Sequence, residues 1–409
     1  MKTLEELYRD ILNGKVRVDQ PLPENYDPAH LDCLLRPKEY APVVPNQSCL
    51  KCESQETEYE RACQNSCVFD AIWEDEEGKL QIDKEMCAGC EACIHACKQG
   101  KLTAGKDVLP AMRSVRERKG NAYALVAPAF FGQFGEMVTA GQLRSAFKAL
   151  GFAGMVEVAL FADILTLKEA LEFDLHIKKE GDFQLTSCCC PVWIAMIRNI
   201  YEELMPHVPA AVSPMIACGR MIKRLYPDAV TVFVGPCLAK KKEAREEDIQ
   251  GAVDYVLTFQ EMRDIFEAAD IHLEALPEDE REHASRAGRL YARTGGVSEA
   301  VASMTQQLQP EKLHVRAEQA EGAKACMEMI QRIKKGETDA NFFEGMGCVG
   351  GCVGGPKTLR KQEEGRACVD NYAEESLYKT PLENPYVRKI LEELGLGTIE
   401  ELIEDPILE

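Results

Sequence analysis

The chain has 409 residues, 45% of them hydrophobic, and a formal charge of −20. That length allows two or three domains with well-filled cores, and that charge disfavours nucleic acid or an anionic membrane as partner. No apolar run approaches the roughly twenty residues of a membrane span. The longest lies around residues 122–132. The charged start MKTLEELYRDILNGK lacks the apolar centre of a signal peptide, so the expectation is a cytoplasmic globular protein. Eighteen cysteines set the problem: in a reducing compartment disulfides are disfavoured and metal ligation is the default.

In chain order, residues 1–46 read as an extension: one amphipathic helix, then a proline-punctuated strand-and-turn tract with an ordinary thiol, Cys33. Residues 47–105 read as a cysteine module. Cys87, Cys90, Cys93 and Cys97 form the C-x2-C-x2-C-x3-C run of bacterial ferredoxins, in which the fourth cysteine serves the other cluster. Cys49, Cys52, Cys63 and Cys67 repeat its first and last spacings around a longer gap. The pseudo-repeat predicts two 4Fe–4S clusters with exchanged ligands, one on Cys49, Cys52, Cys63 and Cys97, the other on Cys87, Cys90, Cys93 and Cys67. A zinc ribbon fits the interlocked sets less well. His95 reads as a surface residue.

From Val108 the pattern becomes α/β, with residues 106–409 as one large domain. Strands are expected at 122–127, 155–160, 229–234, 253–257 and 313–316, and helices at 141–150, 165–177, 193–204 and 324–334. The 165–177 helix reads as amphipathic and carries Glu169 and Glu172. Thr258 to Glu261 reads as a capping box ahead of a further helix, residues 278–289 as an exposed charged loop or helix, and 381–406 as mostly helical. Alternating strands and helices imply parallel sheets, whose ligands lie beyond the carboxyl ends of the strands.

Three turns in this half carry cysteine beside proline or glycine: Thr186-Ser187-Cys188-Cys189-Cys190-Pro191-Val192-Trp193, Val234-Gly235-Pro236-Cys237-Leu238-Ala239-Lys240-Lys241, and the stretch Phe342 to Pro356, with Cys348, Cys352 and six glycines. Glycine lets backbone approach a bulky group, and thiolates select iron–sulfur clusters, zinc or copper(I). Segments so dispersed meet only if a packed fold brings them to one object. In their order and internal spacing they resemble the three signature segments of FeFe-hydrogenases, in the branch with a Cys-Cys-Cys-Pro segment.

The resemblance implies a two-lobed H-cluster domain with parallel sheets behind a two-cluster ferredoxin-like α+β module. It implies an H-cluster: a 4Fe–4S cube on Cys190, Cys237, Cys348 and Cys352, with Cys352 bridging to a diiron centre that carries CO, cyanide and a dithiolate. By position, Cys189 would pass protons, Lys240 would donate to a cyanide, Met346 would pack on the diiron unit, and Ala127 and Pro128 would cradle the other cyanide. Glu169 and Glu172 stand twenty and seventeen residues before Cys189, matching the family's carboxylate relay and favouring Cys189 over Cys188 as the proton-carrying thiol. Pro209 stands where a relay serine is expected, which leaves water or Ser213, and Gly235 stands where methionine is usual. Cys188, Cys218, Cys326 and Cys368 read as core thiols. The implied activity is reversible H2 oxidation in an anaerobic hydrogen metabolism. Its partners would be H2, protons, a ferredoxin or similar small electron carrier, and maturation proteins. An H2 sensor with slow turnover and an iron–sulfur assembly scaffold lacking the diiron site are the rival readings.

Overall fold

A computed structural model describes residues 1–49, 52, 61–187, 189–281 and 283–409. Thr3 opens α1 (Leu4–Leu12): its hydroxyl accepts from the Glu6 N–H while the Glu6 carboxylate accepts from the Thr3 N–H, a reciprocal capping box. Leu4, Leu7 and Tyr8 bury the apolar face of α1 in the main core. The tract expected to be strand and turn contains α2 (Pro28–Leu35). Asp27 caps it, and Pro28 sits in the first turn, where its missing N–H costs little. β1 (Val43–Pro45) follows, then α3 (Ala62–Asn65), β2 (Ile72–Glu74), β3 (Leu80–Ile82), α4 (Ala92–Ala96) and β4 (Leu102–Ala104). β1 pairs antiparallel with β4, and β2 with β3, so β1 crosses the boundary expected at residue 46. The insert expected after Cys52, residues 53–60, lies outside the described residues.

Next in the chain come α5 (Val108–Glu117), β5 (Ala122–Val126), α6 (Ala140–Ala149), β6 (Gly154–Glu157), α7 (Ala159–His176), β7 (Gln184–Leu185), α8 (Pro191–Ile200), α9 (Pro214–Leu225), β8 (Val230–Gly235), α10 (Ala239–Glu243), β9 (Tyr255–Thr258) and α11 (Phe259–Ala268); β5, β6, β8 and β9 make the first parallel sheet. Its strand order is β6-β5-β8-β9, all parallel, with Ala124 level with Met155 and Val232. Ala124, Leu125, Val126, Val232 and Val234 are fully buried, as strands covered on both faces require. The capping box at Thr258 and Glu261 forms. Then come α12 (Arg286–Leu290), α13 (Gly296–Leu308), β10 (Ala317–Glu321), α14 (Ala323–Lys335) and β11 (Phe342–Met346). β11 lies between β10 and β7, again all parallel, and this second sheet forms the other lobe. α15 (Gln362–Glu374) and α16 (Pro385–Leu394) follow. No helix among the described residues is long and apolar enough to cross a membrane.

Several elements depart from the sequence expectation. Residues 313–316 are not a strand; the chain pairs one step later, at Ala317–Glu321, a segment with no strand propensity of its own that is held by its ladder to β11. The buried strand expected at 155–160 ends at Glu157, where the chain turns into α7. The tract expected to be exposed contains α12, whose Ala287, Gly288, Arg289 and Leu290 are buried. α7 itself is not amphipathic: every residue from Ala159 to Phe173 is buried. Its polar side chains are matched by neighbours instead. Asp163 accepts from Ser285 N–H at 2.7 Å, Ser285 Oγ at 2.5 Å and Gly288 N–H at 2.9 Å. Thr166 shares a hydrogen bond with the Tyr291 hydroxyl, and Lys168 donates to the carbonyls of Leu402 and Ile403.

Candidate metal and catalytic site

Four segments of interest leave the carboxyl ends of four parallel strands, two in each sheet. β5 ends at Ala127-Pro128 and β8 at Gly235-Pro236-Cys237; β7 leads into Thr186–Cys190 and β11 into Met346-Gly347-Cys348. Parallel sheets gather ligands at this edge. The two sheets thus present the three cysteine turns to one another.

Glycines let those turns interlock. A Cβ on Gly345 would lie 2.1 Å from the Trp193 ring, and one on Gly347 would lie 2.6 Å from Val192. The third turn is therefore pressed onto the helix that follows the first. The Gly347 N–H donates to Cys190 Sγ at 3.2 Å, and the Lys357 N–H donates to the Pro236 carbonyl at 3.1 Å, which ties the third turn to the second. Gly235, which stands where a methionine is usual, has no room for a side chain: its Cβ would sit 2.6 Å from the Phe233 ring and 3.1 Å from Ala127 Cβ.

Cys190, Cys237, Cys348 and Cys352 are brought together as electrostatic neighbours. Burial raises the proton affinity of Cys237, and Cys190 and Cys352 raise it further, while Lys240 opposes them. Burial also raises Cys348, with Cys237, Cys190 and Cys352 adding to it; Cys352 is pushed up to about 12 by burial and then by Cys190. Crowded in an apolar place, Cys237, Cys348 and Cys352 hold their protons unless a cation replaces them, which is the chemistry a metal cluster supplies. Among the described residues no three such donors close on a single metal ion, and an all-thiol donor set of four is the chemistry of a soft iron–sulfur cube.

Around the thiols stand the other residues named from sequence. Met346 is buried at the end of β11, in the core against which Cys189, Cys190 and Cys352 pack. The three lysines after Ala239 have different fates. Lys240 is buried, with its Nζ 2.6 Å from a Glu243 carboxylate oxygen that is poorly aligned for a hydrogen bond. Lys241 is fully buried between Glu261 at 2.9 Å and Asp107 at 3.4 Å, and Lys242 reaches Glu85 at 2.9 Å. Burial lowers the Lys240 ammonium, but Glu243 and the thiols Cys237 and Cys189 more than restore it. Lys240 therefore stays charged beside the cysteines.

Cys189 is partly buried, and burial together with the nearby Glu169 charge holds it as a thiol. Glu169 is buried, and burial pushes its carboxyl up to about 7 against the hydrogen bonds from Ser187. One of its oxygens accepts from the Ser187 N–H at 3.2 Å and from the Ser187 hydroxyl; the other has no partner among the described residues. Glu172, one turn on, is also pushed up to about 7 by burial, against Lys168 at 3.7 Å. Ser213 does not join them: its hydroxyl caps α9 by accepting from the Ile216 N–H. The Pro209 carbonyl accepts from the Ala211 N–H at 2.8 Å. The hydroxyl that touches Glu169 is Ser187, which sequence reasoning missed although it lies within the first cysteine turn. Tyr291, also missed, has its proton affinity raised by burial and then by Glu169 and Cys189. Of the spare thiols, Cys218 and Cys326 are fully buried, Cys368 lies against Gly132, and Cys188 lies outside the described residues.

The cysteine module holds two further chambers. Cys49, Cys52, Cys63 and Cys97 line one, and Cys67, Cys87, Cys90 and Cys93 line the other. His95 is exposed. The second chamber is the inner one. Gly89, on its wall, is packed so that a Cβ would sit 3.0 Å from the Ala239 backbone, and Cys67 and Cys90 share an apolar cluster with Trp193, Cys190 and Cys237. Glu91, held at φ 65° between two of its cysteines, is buried and paired with Lys357 at 2.6 Å, just past the third turn.

Known proteins share this architecture. The family described as "Iron only hydrogenase large subunit, C-terminal domain" matches residues 120–356. Iron hydrogenase 1 of Clostridium pasteurianum is 27% identical over 70% of this chain and 67% of its own length. Cytosolic iron-sulfur assembly component 3 of Pongo abelii is 24% identical over 69% of this chain and 72% of its own. An apo FeFe-hydrogenase structure from Chlamydomonas reinhardtii superposes with a TM-score of 0.62 at 22% identity, covering 72% of this chain and 97% of that one, a likeness of fold.

Proposed function

The chain belongs to the iron-only hydrogenase large-subunit family, and from that premise we propose that it oxidises H2 and reduces protons reversibly. Cys190, Cys237, Cys348 and Cys352 would hold the H-cluster, and the two chambers of residues 47–105 would hold 4Fe–4S clusters that relay electrons one at a time to or from a ferredoxin-type carrier. When bound, the diiron part of the H-cluster supplies a Lewis-acidic iron and a basic amine, between which H2 is split into unlike halves. The chain's own residues do the rest. Cys189 holds a proton on its sulfur beside Glu169 and would exchange it with that carboxyl. Glu169, with a proton affinity near neutrality, accepts and returns it at little cost. Ser187 fixes the Glu169 carboxylate by two hydrogen bonds. The buried Lys240 ammonium is a charge-assisted donor for a cyanide. Ala127 and Gly235 pack closely at the ends of β5 and β8 and would cradle the other cyanide.

The observation that carries this reading is a protonated thiol, Cys189, set between the four crowded cysteines and a buried carboxyl of near-neutral proton affinity. An assembly scaffold needs the cube alone and has no use for that pair. Likeness to an iron–sulfur assembly component keeps the scaffold as the second reading; a slowly turning H2 sensor is the third. The test is H2 production by the fully matured protein with a reduced dye. Cys189→Ala is expected to lower turnover by ~10²–10⁴-fold, the usual weight of a positioned proton carrier. Unchanged turnover removes the relay, and no turnover in the unaltered matured protein leaves the scaffold.

A further inference from the structure

The two chambers of the cysteine module differ in what touches their sulfurs. In the inner chamber the donors are backbone amides: Ala71 N–H to Cys67 Sγ at 3.4 Å, and the N–H groups of Gly89 and Val43 to Cys87. The outer chamber has a backbone donor too, the Lys101 N–H to Cys97 Sγ at 3.3 Å. It also has a charged one. Arg61, 3% exposed, directs one guanidinium nitrogen to Cys49 Sγ at 3.2 Å and to the Cys49 carbonyl at 3.0 Å. Its other terminal nitrogen donates to the Gly78 carbonyl at 2.9 Å, and its Nε pairs with Glu74 at 2.5 Å. The guanidinium is thus clamped on three sides and aimed at the sulfur. The buried charge beside the inner chamber has the opposite sign: Glu91, one of whose carboxylate oxygens meets Lys357 while the other has no partner among the described residues.

Hydrogen bonds to cluster sulfurs and local net charge set the potential of an iron–sulfur cluster. A buried cation bonded to a ligand sulfur favours the reduced, more negative state, and a buried carboxylate disfavours it. We propose that Arg61 holds the outer cluster at a more positive potential than the inner one, so that electrons released at the deep site run downhill to the outer end of the module. In each transfer the inner cluster loses one electron and the outer gains it, before passing it to a one-electron carrier. This bias favours electrons leaving the protein, and hence H2 oxidation over proton reduction. The proposal rests on the reading of residues 47–105 as a two-cluster relay and adds the direction of its gradient.

The test is a potentiometric titration of the full chain, reconstituted with iron and sulfide and followed by electron paramagnetic resonance. Three one-electron waves are expected: one from the deep cube, identified by its loss in Cys352→Ser, and two from the module. Arg61→Gln is expected to lower the more positive of the module's two waves so that the reduced-to-oxidised ratio falls at least tenfold at fixed potential, a shift of 59 mV for one electron, while the other waves stay. Glu74→Gln removes the counter-charge at the exposed end of β2 while keeping a side chain of the same size, and is expected to raise the same wave. Opposite shifts of one wave support the proposal. Clusters present with neither variant moving a wave, or movement of the more negative of the module's two waves instead, overturn it. Absence of reducible 4Fe–4S signals from the unaltered protein overturns the relay reading and the proposal with it.

Discussion

The cysteine module and the deep site both gather thiols, but by different physics. In the module, Cys87, Cys90 and Cys93, three residues apart, line one chamber with Cys67 from the other half of the repeat, and Cys49, Cys52 and Cys63 line the other with Cys97. At the deep site the thiols arrive from separate strand ends in two sheets, and what brings them together is close packing of glycine against Val192 and Trp193. A local site depends on spacing and tolerates change elsewhere. A site of dispersed ligands depends on the packing of both lobes.

The sharpest break between the two regions is functional. Glu169→Gln removes a proton acceptor from the deep site and touches nothing in the module, so H2 turnover is expected to fall by ~10²–10⁴-fold with the module's cluster signals unchanged. Loss of those signals would mean that Glu169 is structural. The same carboxyl makes stability depend on pH. That carboxyl is pushed up to about 7 in the folded chain, from an ordinary 4.5, because burial penalises the charge. Below about 4.5 both states are protonated and above about 7 both are ionised. Between these limits the folded state holds a proton that the unfolded state has released, so stability falls as pH rises, by ~3 kcal/mol for this group. Denaturant melts at pH 5 and pH 8 should differ less in Glu169→Gln than in the unaltered protein. An identical difference contradicts this account of the buried acid.

Smaller effects separate packing from spacing. Gly345→Ala forces a methyl into the Trp193 ring and is expected to cost ~1–3 kcal/mol by overpacking. Gly78→Ala, in the module with open space around its Cβ but φ +74°, is expected to cost only the ~1–2 kcal/mol of a left-handed residue. Loss of the deep site's iron in the first variant but not the second, read by metal analysis, would follow. Equal iron retention would deny that the glycine contact assembles the site. Smallest of all, Lys242→Ala breaks a pair in which Glu85 is 70% exposed and should change the melting midpoint by no more than ~0.5 kcal/mol's worth.

What the sequence revealed follows the same division. The grouping of the module's cysteines around two chambers follows their sequence spacing, since close spacing gathers thiols locally. The convergence of the three turns was legible only through their resemblance to known signature segments, since no local rule brings Cys190 to Cys348. Burial was the main thing hidden. α7 read as amphipathic from the polar residues on it, yet Asp163, Thr166, Lys168 and Glu169 each find a partner inside the protein. β10 was misplaced because Ala317–Glu321 has no strand signal without β11 beside it. Ser187 went unnoticed because its role depends on a carboxylate from another element. Lys240 and Lys241 looked alike in sequence; only the fold turns one toward the thiols and the other toward Glu261.

The central claim is that the deep thiols carry a diiron-bearing centre and not a cube alone. Infrared spectroscopy of the full chain, matured with its diiron centre, reads this directly. The account predicts bands from metal-bound carbon monoxide and cyanide that are lost in Cys352→Ser. Iron-loaded protein that shows 4Fe–4S signals and none of these bands would contradict it.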